Sequence, residues 1–190
     1  AAEPNLVTAR MILGLAYLPR FLRPRAKDVL VIGLGSGATT GAAALFPQAR
    51  VTCCEIERKV LEAVVPFGDV NHRPLEAPNV AVVIDDGRSF VQGHPGPWDL
   101  ILSDYNLPGF SGLQALDMLR ASGRLWPFIL VSGEIGEDTA VEAMRNGASD
   151  YLLKNNLARL APAMEHAIEA AEARRARAAA DEELQASRQR

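Results

Sequence analysis

The chain has 190 residues, enough to bury a substantial core and few enough for one domain with an appendage. Its 48% hydrophobic and 23% charged content is that of a folded globular protein, which excludes disorder as the starting expectation. With 20 basic against 23 acidic residues and a net charge of −3, there is no global attraction to nucleic acid or to an anionic membrane, and neither is expected as a partner.

Leu6–Leu18 carries apolar residues at helical spacing (Leu6, Met11, Ile12, Leu15, Leu18) and stops at Pro19, which predicts a covering helix. The longer stretch Leu6–Leu22 is interrupted by Arg10 and Arg20, falls short of a membrane span and lacks a signal-peptide cleavage pattern, so the expected setting is the cytoplasm. Adjacent Cys53 and Cys54 suit neither a disulfide framework nor a zinc site, and read as core residues in a reducing compartment. The absent initial Met and the abrupt end at Gln189-Arg190 point to an excised or engineered segment.

Val29–Ile32 reads as a buried strand with a glycine exit, Val29-Leu-Val-Ile-Gly-Leu-Gly-Ser-Gly37. The small-residue run that follows, 38–45, predicts a helix able to sit close on a sheet. Val51–Ile56 is a second strand, Arg58–Phe67 a helix, Gly68–Pro78 a polar loop and Val80–Asp85 a third strand. Gly87–Gln92 is a short crossover running into the breaker Gly93-His-Pro-Gly-Pro97, and Asp99–Ser103 is the fourth strand. A regular alternation follows: helix Gly112–Ala121, strand Phe128–Val131, helix Glu137–Asn146, strand Tyr151–Leu153 and a helix from Leu157 onward. Short apolar strands alternating with helices predict a doubly wound α/β sandwich of three layers around a six-stranded parallel sheet. Residues 1–174 are expected to form one Rossmann-like domain. Beyond them the apolar stripe of Leu157, Leu160, Met164, Ala167, Ile168 and Ala171 thins to Ala with only Leu184, so 175–190 reads as a projecting helix, either solvated or pairing with a second copy.

A loop that leaves a first strand and opens a helix presents backbone N–H groups, and Gly33, Gly35 and Gly37 let a ligand approach them. Glu55 ends the second strand at the spacing where an acid meets ribose hydroxyls. Asp86-Gly87, after the third strand, offers a carboxylate to an adenine amino group and a main-chain amide beside it. Alone, each has a plainer reading: turn chemistry for the glycines, a solvated strand end for Glu55, a helix cap for Asp86. The set points to a ligand.

From about Asn5 to Gln92 the chain resembles the nucleoside-binding half of spermidine synthase-like proteins, within the S-adenosylmethionine-dependent methyltransferase fold. The likeness rests on the glycine loop 29–37, on Val51–Ile56, and on Val83-Ile-Asp-Asp-Gly-Arg-Ser-Phe90. It implies strand order 3-2-1-4-5-6, Glu55 on the ribose with Ile56 in the same site, Asp86 and Gly87 at the adenine, and the glycines around the rest of an S-adenosylmethionine-type cofactor. The loop through Ala38 also fits the nicotinamide-type G-x-G-x-x-A pattern, so cofactor identity rests on Asp86-Gly87-Arg88. Spermidine synthases follow the fourth strand with Asp-x-x-Asp-Pro, one acid of which helps deprotonate the amine. Here Asp104 matches the first acid and is the candidate catalytic residue, but Leu107 stands at the second, so little or no transfer is expected.

From about Pro97 to Arg174 the chain resembles the receiver domain of bacterial response regulators, on Pro97-Trp-Asp-Leu-Ile-Leu-Ser-Asp-Tyr-Asn-Leu-Pro-Gly109, Val131-Ser-Gly133 and Asp150-Tyr-Leu-Leu-Lys154. That resemblance implies Asp104 as phosphoacceptor, Ser132 and Lys154 on the phosphoryl group, Tyr151 as the switch aromatic, and a histidine kinase as partner. A receiver also needs an acid pair that holds Mg²⁺ together with the acceptor. In the order 3-2-1-4-5-6 the strand beside Asp104 ends in glycines, while Asp85 and Asp86 lie three strand spacings away, about 14 Å. Mg²⁺ takes ligands at about 2.1 Å, so no shared ion is expected and no metal ligands are assigned. Asp104 then also reads as a strand-end carboxylate salt-bridged to Lys154. The expectation is a chimera joined between Gln92 and Trp98, with nucleoside binding as its function, a phosphorelay module as the alternative, and a scaffold with neither activity as the third reading.

Overall fold

The computed structural model describes residues 27–94, 96, 98–133 and 136–188. The helix expected over Leu6–Leu18 lies outside them. Strands β1 (Asp28–Ile32), β2 (Arg50–Glu55), β3 (Val80–Ile84), β4 (Leu100–Asp104), β7 (Phe128–Ser132) and β8 (Asp150–Leu153) form one parallel sheet. Their order is β3-β2-β1-β4-β7-β8, the expected arrangement, in which β1 and β4 meet at the centre. The numbers five and six belong to a feature the sequence reading lacked, an antiparallel hairpin of β5 (Asn106–Leu107) and β6 (Phe110–Ser111).

Both faces of the sheet are covered, which is why its central strands are continuous apolar runs. On one face Val29, Val31, Cys53, Leu100, Leu102, Ile129 and Val131 pack with helices α1 (Ala38–Ala44) and α7 (Leu160–Arg188). On the other, Leu30, Ile32, Cys54, Ile101 and Leu130 meet Phe90 of α4 (Gly87–Gly93), Leu116 and Leu119 of α5 (Gly112–Ala121) and Ala143 of α6 (Glu137–Arg145). Alternate residues of each strand serve opposite layers, so the pattern of the sandwich is written into β1 and β4 residue by residue.

Three segments differ from expectation for identifiable reasons. The helix expected over Arg58–Phe67 is only α2 (Val60–Ala63), followed by a 3-10 turn at Val65–Phe67, because Pro66 has no N–H to continue the ladder. The first turn of the expected polar loop is helical, α3 (Gly68–Asn71), and α1 packs closely on it: a β-carbon on Gly41 would stand 1.7 Å from the Asn71 carbonyl oxygen. The one glycine inside the small-residue helix therefore serves its approach to α3. The last helix begins at Leu160, after a 3-10 turn at Lys154–Arg159 in which Asn156 leaves helical geometry. Its buried stripe ends at Ala171, and residues 172–187 are exposed. No helix among the described residues is long and apolar enough to cross a membrane.

The hairpin is tied to α5 by a reciprocal cap. Gln114 N–H donates to Ser111 Oγ at 3.2 Å, and the Ser111 N–H donates to Gln114 Oε1 at 3.0 Å. Ser111→Ala is expected to lower unfolding free energy by about 1 kcal/mol in urea titration, the usual worth of such a cap. An unchanged midpoint would show the box to be without energetic consequence.

Candidate functional site

In an open parallel sheet the strand ends gather at one edge, and a crevice opens where the connections diverge to opposite faces. Here that point lies between β1 and β4. Register pairs Ile32 with Ser103, which brings Gly33 alongside Asp104: a β-carbon on Gly33 would stand 3.4 Å from Asp104 Cβ. The left-handed φ of +89° at Gly33 turns the chain there without the penalty a side chain would bring. A larger hollow of about 630 Å³ lies at the opposite, amino-terminal edge among Asp28, Arg50 and Trp98. Arg50 is already engaged there by both Asp28 oxygens, each at 2.8 Å.

Five of the seven candidate nucleoside residues line one crevice: Gly33, Glu55, Ile56, Asp86 and Gly87. Gly35 lies instead beside Asp104 and Lys154, and Gly37 faces Val64, Asn71 and Pro74. Glu55 is buried, and its carboxylate accepts the Leu34 N–H at 2.8 Å and the Glu57 N–H at 3.0 Å, clasping the glycine loop to the end of β2. Each oxygen keeps a lone pair for a further donor. Asp86 caps α4 by accepting the Arg88 N–H at 2.7 Å. Cys54 forms part of the floor, and burial, with the Asp85 charge beside it, pushes its thiol up to about 12.

The crevice has about 30 Å³ of free volume, room for roughly one water. Its remaining wall is Leu107, Pro108 and Phe110, the hairpin after β4. These residues escaped the sequence reading, although Leu107-Pro-Gly-Phe110 carries the signal of a tight turn: proline at the first corner and, at the second, Gly109 with φ +66°.

The phosphorelay set converges on a neighbouring point. Lys154 follows β8 and reaches across the end of β7 to donate to Asp104 Oδ2 at 2.5 Å. The pair rests on the glycine loop, since a β-carbon on Gly35 would meet Asp104 Oδ2 at 3.5 Å and Lys154 Nζ at 3.7 Å. Ser132 is buried at the end of β7 next to Asp104, whose Cα partner in that strand is Val131. Tyr151 lies on β8 opposite Leu130 and packs with the layer of α5 and α6. Asp85 and Asp86 follow β3, separated from β4 by β2 and β1. Among the described residues no three His, Cys, Asp or Glu side chains are grouped to hold a metal ion. One carboxylate beside an ammonium does not fit Mg²⁺, which needs several oxygen ligands.

The spermine/spermidine synthase domain family matches residues 9–111, and the response regulator receiver domain family matches residues 74–165. Over 95 residues the chain is 33% identical to spermidine synthase of Dictyostelium discoideum, covering 50% of this chain and 34% of that protein. Over 84 residues it is 32% identical to the chemotaxis protein CheY of Pseudomonas aeruginosa, covering 43% of this chain and 68% of CheY. The chain belongs to both families. Among solved structures, the beryllofluoride-activated DrrB receiver domain superposes with a TM-score of 0.51 at 15% identity, covering 75% of this chain and 97% of that one, a likeness of fold. The chain spans about a third of the spermidine synthase's length.

The two matches overlap over 74–111, a wider junction than the one expected between Gln92 and Trp98. The receiver match thus takes in Asp85 and Asp86. In the fold they end an edge strand, because β1 and β2, which precede the receiver match, stand between β3 and β4.

Proposed function

We propose that this chain is a nucleoside-binding module of the spermidine synthase type that performs no efficient group transfer. The observation that carries the reading is the gathering of Gly33, Glu55, Ile56, Asp86 and Gly87, from three successive strand ends, around one crevice at the switch point of the sheet. Glu55 would hold the ribose of an S-adenosylmethionine-type ligand, and Asp86 with the Gly87 amide would hold its adenine. Against transfer stand two features: the Asp104 carboxylate is bonded to the Lys154 ammonium, and Leu107 brings no second acid.

Isothermal titration calorimetry with S-adenosylmethionine is expected to give saturable binding, and Asp86→Ala to weaken it at least tenfold, about 1.4 kcal/mol. NAD⁺ in the same cell separates the nicotinamide alternative. Absence of heat with either ligand in the wild type and in Leu107→Ala, which trims a side chain lining the crevice, would overturn the reading.

The short Asp104–Lys154 contact favours one second reading, phosphorylation of Asp104. The lone carboxylate leaves that site without its metal partner, so acetyl phosphate with Mg²⁺ is expected to leave the intact mass unchanged. A phosphoryl adduct lost in Asp104→Asn would restore the signalling module.

A further inference from the structure

We propose that Leu107 decides what enters the crevice, with the hairpin that carries it acting as a plug and Arg88 as its latch; the ligand concerned rests on the nucleoside reading above. Leu107 Cδ2 lies 2.5 Å from the point where a β-carbon on Gly33 would stand, so it occupies the ground that glycine leaves open above the loop. Pro108 and Phe110 complete that wall, and the 30 Å³ that remains is far below the several hundred Å³ of an ordinary ligand pocket. The crevice is closed by the chain's own side chains.

The fastening is local: Leu107 and Phe110 pack on the core beneath them, and a few polar ties hold the turn. The hairpin has two residues in each strand and makes no ladder with the main sheet, the kind of unit that is marginal by itself. It is held by the Gly112 N–H on the Tyr105 carbonyl at 3.0 Å, by the Ser111–Gln114 cap, and by Arg88. The Arg88 guanidinium donates to the Gly109 carbonyl and lies 4.8 Å over the Phe110 ring. Arg88 directly follows Asp86-Gly87, so the segment that would receive the adenine also holds the plug. A site open only part of the time binds with an affinity reduced by the open fraction, and trimming the plug removes that reduction.

Cys54 gives a readout that needs no nucleoside, because it lines the crevice while Cys53 faces the opposite layer. Wild type, Leu107→Ala and Leu107→Met are treated with methyl methanethiosulfonate at one pH, and tandem mass spectrometry separates the two cysteines. Cys54 is expected to react at least tenfold faster in Leu107→Ala than in wild type, with Cys53 unchanged and Leu107→Met close to wild type. S-adenosylmethionine is expected to bind Leu107→Ala at least tenfold more tightly and to slow the labelling. Equal Cys54 rates in wild type and Leu107→Ala overturn the plug, as does acceleration of both cysteines or of Leu107→Met, which would signify general loosening. Accelerated labelling of Cys54 alone with no binding of S-adenosylmethionine upholds the plug and removes the nucleoside reading. Equal binding by wild type and Leu107→Ala, weakened in both by Asp86→Ala, does the reverse.

Discussion

Leu102→Ala is expected to remove about 2–5 kcal/mol of unfolding free energy and yet to leave unfolding a single transition. Leu102 is fully buried in β4, where its Cα partners are Val31 of β1 and Ile129 of β7. Each partner strand comes from a different parental family, so β4 carries a core shared by both. Truncation deletes buried apolar volume, and the rigid ladders on either side prevent the site from collapsing to fill it. That loss is a large share of the stability of an ordinary domain. Urea unfolding followed by far-ultraviolet circular dichroism and by the fluorescence of Trp98 and Trp126, which pack at the base of this seam, should give coincident curves for wild type and variant. Two separated transitions would mean that the halves fold independently and merely touch.

The order of the sheet was legible because each half carries its own strand rhythm and β4 satisfies both. Leu100-Ile-Leu-Ser-Asp104 is apolar enough to be buried on two faces and ends in an acid, which suits the centre of either parental sheet. Legibility failed where local chemistry was finer than periodicity. Pro66 splits a stretch whose apolar spacing reads as one helix. Asp86 caps the segment that begins at Gly87, as one reading of the sequence has it; what spacing does not reveal is how far a helix continues once its first amide has a partner.

At the site, sequence spacing located the strand-end residues, because parallel strands deliver their last residues to a common edge. It did not locate Leu107, Pro108 and Phe110 against them, since that contact depends on how the turn after β4 folds back over the glycine loop, which strand periodicity does not encode. Glu55 shows the same limit: spacing suggests a ribose ligand, but the fold also gives its oxygens the amides of Leu34 and Glu57. A residue's reach can be read from its position in a strand, whereas its competitors come from the tertiary fold.

Raising the pH above 9 is expected to destabilise the protein through its buried thiols, Cys53 most clearly. Cys53 is fully buried in β2, and burial pushes its thiol from 9.0 up to about 12; the Thr40 hydroxyl, 3.5 Å from its sulfur, partly opposes that rise. The folded state therefore holds this proton where the unfolded chain has released it. Stability from the group is complete below pH 9 and falls as the pH climbs toward 12, because over that interval the unfolded state binds fewer protons. The full interval corresponds to about 4 kcal/mol, and roughly half of it is lost near pH 10.5. Cys54 acts in the same direction, from burial and the neighbouring Asp85 charge. Tyrosines and lysines titrate in this range too, so the decisive quantity is a difference. Cys53→Ala starts less stable at neutral pH, having lost its sulfur from the core, but its stability should decline less steeply than that of wild type between pH 8 and 10.5 in urea titrations. The two curves should converge. Parallel curves would mean that the β2 thiol ionises as easily in the fold as out of it, which a fully buried position between two packed layers does not permit.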